Sequence, residues 1–366
     1  MNVGKLRLGL VGPVPPPNGG MAMQTRQLAG LLRDEGITVK QVATNAPYRP
    51  TLVGKIPGLR ALFRLVPYLF AVWRMAGKVD VIHLMANSGW SWQLYAAPVL
   101  WLARLRHTPV IVNYRGGEAE AYFQRSFSRV RPSLSKAKLI AVPSGYLGQV
   151  FARFGHETKI IPNIIDRQIF RPTERSRTAK GYTLVVTRNL EAIYGLDTAL
   201  RALAKVRVLE SDVILRVAGS GPEEARLRIL AGQLGVAEAV IFEGRLSREE
   251  IVRLYAEADA MINPTTVDNM PNSVMEALAC GIPVISTNVG GVPFIISDQE
   301  TGLLVPPNDP EKLAAAILRL KGDATLQQTL RANGLAQVEQ YTWGEVRQKW
   351  LQAYAIATDN TFGGLV

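Results

Sequence analysis

The sequence predicts an α/β protein built from two Rossmann-like domains that face each other across a cleft, and three observations carry the prediction. Short apolar runs alternate with longer segments of helical periodicity almost throughout, the pattern of parallel strands joined by crossover helices. The alternation breaks once, at 171–182, where "RPTERSRTAKGY" is charged, polar and without apolar periodicity, and then resumes. Open sheets of this kind take ligands beyond the carboxyl ends of their strands, so a cleft between two such domains is the expected site.

The elements follow in order. "LRLGLVG" reads as a first buried strand, and "MAMQTRQLAGLLRDEG" as the helix after a proline- and glycine-rich loop. "VIHLM", "PVIVNY", "KLIAVPS" and "KIIPNII" continue as strands, with "SWQLYAAPVLWLARLRH" and "YLGQVFARFG" as helices. Beyond the break, "TLVVTRN", "VILRVAGSGP", "VIFEGRL", "AMINPTT" and "PVIST" are strands. The helices between them are "LDTALRALAKVRVL", "EEARLRILAGQLG", "REEIVRLYAEAD" and "PNSVMEALACG", with "KLAAAILRLKG" after the last strand. The domains are therefore set at 1–172 and 173–342, and "YTWGEVRQKWLQAYAIA" is a final helix with Val346, Trp350, Leu351 and Tyr354 on one face.

Composition excludes several classes of function. A lone cysteine, Cys280, rules out an internal disulfide, and His83, His107 and His156 lie too far apart for a zinc-type motif. Cys280 falls on the apolar face of its helix and His83 in a strand, so both read as packing residues. The N-terminal apolar stretch is about six residues long, too short for a signal peptide, which favours a cytoplasmic location. A formal charge of +12 calls for nucleic acid, anionic lipid or phosphate-bearing substrates as partners. No zinc-finger, ribonucleoprotein or basic-zipper pattern appears, so nucleic acid is excluded.

Chemistry concentrates in "DNMPNSVMEALACGIPVIST", residues 268–287. Pro264 and Pro271 bracket a loop, "SVMEALAC" is helical, and Asn272 or Ser273 is the expected N-cap. The first N–H groups of such a helix point at a ligand and attract anions. Glu276 then lies about one turn inside the helix, within reach of hydroxyls near a bound phosphate, and Asp268 hangs from the preceding loop.

This arrangement resembles the Glu-x7-Glu motif of the retaining, family-four nucleotide-sugar glycosyltransferases, which have the two-Rossmann GT-B fold; here it stands as Asp268-x7-Glu276. The resemblance implies that Glu276 holds the nucleotide ribose, that Asp268 holds hydroxyls of the donor sugar, and that the amides around Asn272, Ser273 and Val274 hold the diphosphate. "GPVPPPNGGMAMQTRQLAGLL" is similar to the family's glycine-rich loop, which places Gly19 and Gly20 near diphosphate and acceptor, with Asn18 on the acceptor side. "VAGSGPEEARL" resembles its nucleotide-side loop, with Gly219, Gly221 and Pro222. "IPNIIDRQIFRP" resembles the interdomain stretch. The family's last helix crosses back to the first domain, which implies the same for 343–360.

Two departures stand out. Arg188 in "VVTRNLEAIYGLD" matches the family's diphosphate-binding arginine, but Tyr194 occupies the place of its lysine. A phenol cannot offset a developing diphosphate charge, so more of that task falls to Arg188 and the helix end. In "VIVNYRGGEAE" Arg115 stands where the family carries a histidine; with Glu118 it is assigned to the site, and a phosphate of the donor or the acceptor is its expected ligand. No Asp-x-Asp motif appears, so the resemblance implies metal-independent transfer with no cofactor beyond a UDP- or GDP-type donor sugar. Two rival readings remain, an epimerase or hydrolase of the same fold and a non-catalytic sugar-nucleotide-binding partner.

Residues 54–78 bear on the acceptor. Leu59, Leu62, Phe63, Val66, Leu69, Phe70 and Trp73 recur at helical spacing among Lys55, Arg60, Arg64, Arg74 and Lys78. The longest uncharged run, Leu65 to Trp73, is far below the ~20 residues needed to span a bilayer. Peripheral contact with an anionic membrane, at the inner face of the cytoplasmic membrane, is the expectation, with a lipid-linked glycan or polysaccharide precursor as acceptor.

Overall fold

The structure, a computed structural model, describes residues 6–16, 19–47, 59–173 and 181–359. The first six strands are β1 (Arg7–Gly12), β2 (Thr38–Ala43), β3 (Val81–Ala86), β4 (Val110–Tyr114), β5 (Leu139–Val142) and β6 (Lys159–Ile160). They form one parallel sheet in the order β2-β1-β3-β4-β5-β6. Every residue of β3 and β4 is buried, as expected for parallel strands covered on both faces. The covering helices are α1 (Gly20–Asp34), α2 (Leu59–Ala76), α3 (Ala97–Leu105), α4 (Ala119–Leu134) and α5 (Gly145–Arg153).

The second sheet comprises β7 (Tyr182–Thr187), β8 (Val213–Ala218), β9 (Val240–Gly244), β10 (Ala260–Asn263), β11 (Val284–Thr287) and β12 (Leu303–Val305). Its order is β12-β11-β10-β7-β8-β9, so the winding reverses between β7 and β10. That switch point is where doubly wound sheets open a crevice for a ligand. Around it lie α6 (Leu196–Leu209), α7 (Glu224–Gln233), α8 (Arg248–Glu257), α9 (Asn272–Ala279), α10 (Pro310–Gly322) and α11 (Ala324–Val338). A capping box of Ser247 and Glu250 starts α8, satisfying two backbone donors at once.

Two compact units result, Met1–Ile164 with Trp343–Val366, and Ile165–Thr342. The last helix, α12 (Trp343–Ala357), buries Val346, Trp350, Leu351 and Tyr354 against Leu8, Leu10 and Ile111 of the first sheet. Residues 165–172, grouped with the first half on composition, belong to the second unit. Ile165 N–H donates to Tyr341 O at 2.9 Å, and Phe170 packs with Tyr255 and Val274.

The helix α2 departs from a single apolar stripe. Tyr68, Val72, Met75 and Ala76 are buried, while Phe63, Val66, Phe70 and Trp73, at steps of three, four and three, are exposed. Apolar residues thus occupy two faces, and only one meets the sheet. Residues 54–58, with Lys55, lie outside the described residues. Among the described residues no helix is long and apolar enough to cross a membrane.

Candidate functional site

The two strands flanking the switch point deliver the charged groups. Arg188 follows β7 directly; its Nη2 donates to Asp268 Oδ2 at 2.7 Å, and its Nη1 to Ser273 Oγ at 3.3 Å. Both members of the ion pair are 12% exposed. The guanidinium carbon sits 4.0 Å from the centre of the Tyr194 ring, and Nε is buried without a hydrogen-bond partner. Tyr194 thus cannot replace a lysine's charge, but it fixes the plane of the arginine that carries it. The stacking requires a turn held in place: Thr265 and Thr266 each donate to Ile193 O at 3.1 Å, and Gly195 adopts φ +62°. A Cβ on Gly195 would meet Pro264 O at 2.1 Å.

The N-cap of α9 differs from expectation. Pro271, with φ −65° and ψ 118°, already supplies the extended cap geometry, so Asn272 and Ser273 enter the helix, and no side chain caps it. Ser273 turns its hydroxyl to Arg188 instead. Tyr255 Oη bridges Thr187 Oγ1 at 2.7 Å and Ser273 O at 3.2 Å, tying the end of β7 to the first turn of α9. Val274 is fully buried under that turn and acts through its backbone and packing.

Glu276 lies one turn further along α9 and makes no side-chain hydrogen bond with a described residue. Loss of water pushes its carboxyl up to about 7, against the pull of Arg248 and Arg188. Arg248 is itself held by Asp166 at 3.3 Å and lies over the Phe170 ring. Burial also pushes the Asp268 carboxyl up, with the Arg188 charge opposing. The Glu276 shift makes stability depend on pH. An unfolded glutamate loses its proton near 4.5 while the folded one keeps it to about 7, so the folded state is progressively disfavoured between those values. Glu276→Gln is expected to match wild type in stability below pH 4.5 and to exceed it above pH 7, by about 3 kcal/mol. Parallel pH curves for the two proteins in thermal unfolding would refute this.

The glycine loop after β8 meets the loop after β7 backbone to backbone. A Cβ on Gly219 would stand 2.0 Å from Arg188 O, and one on Gly221 2.2 Å from Leu190 O. Pro222 is exposed just beyond, ahead of α7. Cys280 is the C-cap of α9, buried, with its thiol pushed up to about 12 by burial, so it serves packing.

The remaining predicted residues lie in the first unit. Gly19 is the N-cap of α1 and Gly20 its first residue, with no side chain capping that end. Arg115 directly follows β4, and Glu118 is exposed at the N-cap of α4. Asn18 lies outside the described residues. Sequence reasoning missed the Tyr194 stack, Tyr255 and Arg248; none of them forms a local pattern, and all act through tertiary contacts.

Two doubly wound parallel sheets with flanking helices are the GT-B glycosyltransferase fold. The profile described as "Glycosyltransferase Family 4" matches residues 18–169, and that described as "Glycosyl transferases group 1" matches 166–337. The chain belongs to this glycosyltransferase family. A D-inositol 3-phosphate glycosyltransferase of Acidothermus cellulolyticus is 32% identical over 54% of this chain, a match spanning 47% of that relative's own length. Its counterpart in Jonesia denitrificans is 25% identical over 88% of this chain and 82% of the relative. Among solved structures, a sucrose-phosphate synthase from Thermosynechococcus elongatus superposes with a TM-score of 0.77 at 23% identity, covering 96% of this chain and 98% of the other. HepE of Anabaena, solved with UDP-glucose, gives 0.77 at 18% identity, over 96% and 99%.

Proposed function

We propose that the chain is a retaining, metal-independent glycosyltransferase that moves a sugar from a nucleoside-diphosphate sugar to a glycan or lipid-linked glycan. The observation that carries this reading is the cluster at the β7/β10 switch point. Arg188, oriented by Tyr194 and Ser273, stands at a helix N-terminus that no side chain caps, the pairing of fixed cation and backbone donors that a diphosphate leaving group needs. Glu276, with no side-chain hydrogen bond to a described residue, is available to accept from ribose hydroxyls, and Asp268 is available to the donor sugar. Gly219 and Gly221 shape the nucleotide side. Ribose binding requires the ionised Glu276, so nucleotide uptake near pH 7 releases a proton.

The test is thermal stabilisation by UDP, GDP and their sugars. UDP comes first because HepE is solved with UDP and with UDP-glucose. A rise with one base, following RT ln(1 + [L]/Kd) and lost in Glu276→Ala, is the expected result. No rise with any nucleotide at millimolar concentration refutes the donor site, and turnover of donor to a second sugar without acceptor would favour the epimerase.

Peripheral membrane contact belongs to the same proposal. Phe63, Val66, Phe70 and Trp73 on α2 and Trp101 and Leu105 on α3 are exposed, with Arg106 over Trp73 and Lys136 over Trp101. Aromatic rings paired with cations suit the headgroup level of an anionic bilayer. Sedimentation with phosphatidylglycerol vesicles, lost in Phe70→Ser/Trp73→Ser, is expected; equal sedimentation of both proteins refutes the surface.

A further inference from the structure

Arg115 carries a positive charge that no described carboxylate answers. Its Nε donates to Asn113 Oδ1 at 3.3 Å and its Nη1 to Asn163 Oδ1, both neutral amides. Among the described residues it forms no ion pair, and burial alone pulls its pKa down to about 10. It stays charged at neutral pH. A guanidinium that has lost much of its water and meets no described counter-ion is unfavourable unless a ligand supplies the anion. Two of its five N–H donors are engaged, so three remain, and part of the side chain reaches solvent.

The partners of Arg115 are themselves fixed from both sides. Arginine only donates, so Asn113 must turn Oδ1 toward it, which leaves Nδ2 to donate to His83 Nε2 at 2.9 Å. That ring nitrogen must accept. The ring proton therefore sits on Nδ1 and is donated to Tyr354 Oη at 2.9 Å. Asn113, His83 and Tyr354 are fully buried, and burial first, then the Arg115 charge, lowers His83 to about 3, so the imidazole is neutral. On the other side, Asn163 precedes Ile164, whose N–H and C=O both bond the side chain of Gln24 on α1, at 3.0 and 2.9 Å. A one-directional chain of donation thus runs from the guanidinium through Asn113 of β4 and His83 of β3 to Tyr354 of α12.

We propose that Arg115 is a site for a substrate oxyanion, a phosphate or a carboxylate, and that His83, Asn113 and Asn163 are positioning residues that hold its remaining donors for that group. The fork of a guanidinium matches two oxygens of such an anion. The site stands on Arg115 itself; which substrate brings the oxyanion rests on the sugar-transfer reading above. A donor diphosphate and an anionic acceptor share this chemistry, and the experiment separates them.

Inorganic phosphate and UDP are titrated separately into the full chain at constant ionic strength, with unfolding temperature and tryptophan fluorescence as readouts. Phosphate is expected to stabilise wild type, and Arg115→Met to weaken phosphate by about tenfold or more, with an unfolding temperature in the absence of ligand equal to or above wild type because an unanswered charge is gone. Asn113→Asp supplies a carboxylate beside an intact Arg115 and should abolish phosphate binding just as well. His83→Phe should weaken it severalfold, and His83→Gln, which offers one acceptor and one donor, should restore it. UDP binding preserved in Arg115→Met assigns the oxyanion to the acceptor; UDP binding lost with it assigns the oxyanion to the donor. Phosphate affinity in Arg115→Met within twofold of wild type, no phosphate effect on wild type, or variants that lose stability alone would overturn the proposal. Failure of UDP to bind while phosphate still requires Arg115 refutes the donor site and leaves this one standing.

Discussion

Arg188→Ala is expected to reduce turnover by on the order of 10²- to 10³-fold, measured as release of nucleotide in the presence of acceptor. In the proposed reaction the charge that develops on a departing diphosphate falls to Arg188, because Tyr194 stands beside it as an aromatic surface and adds no charge. The same change leaves Asp268 buried and unpaired, which should lower stability by about 3 kcal/mol. The two effects separate in Arg188→Ala/Asp268→Ala, which removes the stranded carboxylate: stability should recover and activity should not. Arg188→Lys should fall between, since an ammonium keeps the charge but loses both the stack on Tyr194 and the simultaneous reach to Asp268 and Ser273. Turnover within threefold of wild type in Arg188→Ala would show that the leaving group is stabilised elsewhere.

Gly219→Ala is expected to disable the proposed donor site through the backbone. The added methyl would stand 2.0 Å from Arg188 O and 2.9 Å from Arg188 C, both main-chain atoms, so relief requires moving the loop that presents the guanidinium. A stability loss of about 2–4 kcal/mol and loss of nucleotide-dependent stabilisation should appear together. Gly235→Ala is the control. Gly235 has φ +69° with nothing within 4 Å of a Cβ, so the change should cost about 1 kcal/mol from backbone conformation alone and spare nucleotide binding. Equal effects from the two substitutions would mean that backbone strain, not contact with Arg188, decides the outcome.

The parallel strands were legible because β3 and β4 are covered on both faces and read as unbroken apolar runs. Asp268 and Glu276 were legible from their spacing across a loop and a helix start. The N-cap of α9 was misread because Pro271 provides by dihedral angle what Asn or Ser provides by side chain. On α2 the sequence reading named Phe63, Val66, Phe70 and Trp73, which are exposed, but not the second apolar face of Tyr68, Val72, Met75 and Ala76, because periodicity does not say which side meets the sheet. The chain from Tyr354 through Arg115 to Asn163 is beyond any local pattern. Its hydrogen bonds join residues 271, 30 and 48 positions apart, and histidine and asparagine inside apolar strands look like isolated exceptions until those partners meet.

The return of α12 to the first unit makes the second an insertion in the topological sense. Its chain enters at Ile165 and leaves at Thr342, and the hydrogen bond from Ile165 N–H to Tyr341 O sets the two ends side by side. The second unit is therefore continuous in sequence, with neighbouring termini, and can be lifted out or permuted as one piece. The first has no such independence, because Trp350 and Tyr354 of its core follow the whole second unit in the chain. A nascent chain can thus complete its second unit before its first is able to close, although most of the first unit's sequence is made first.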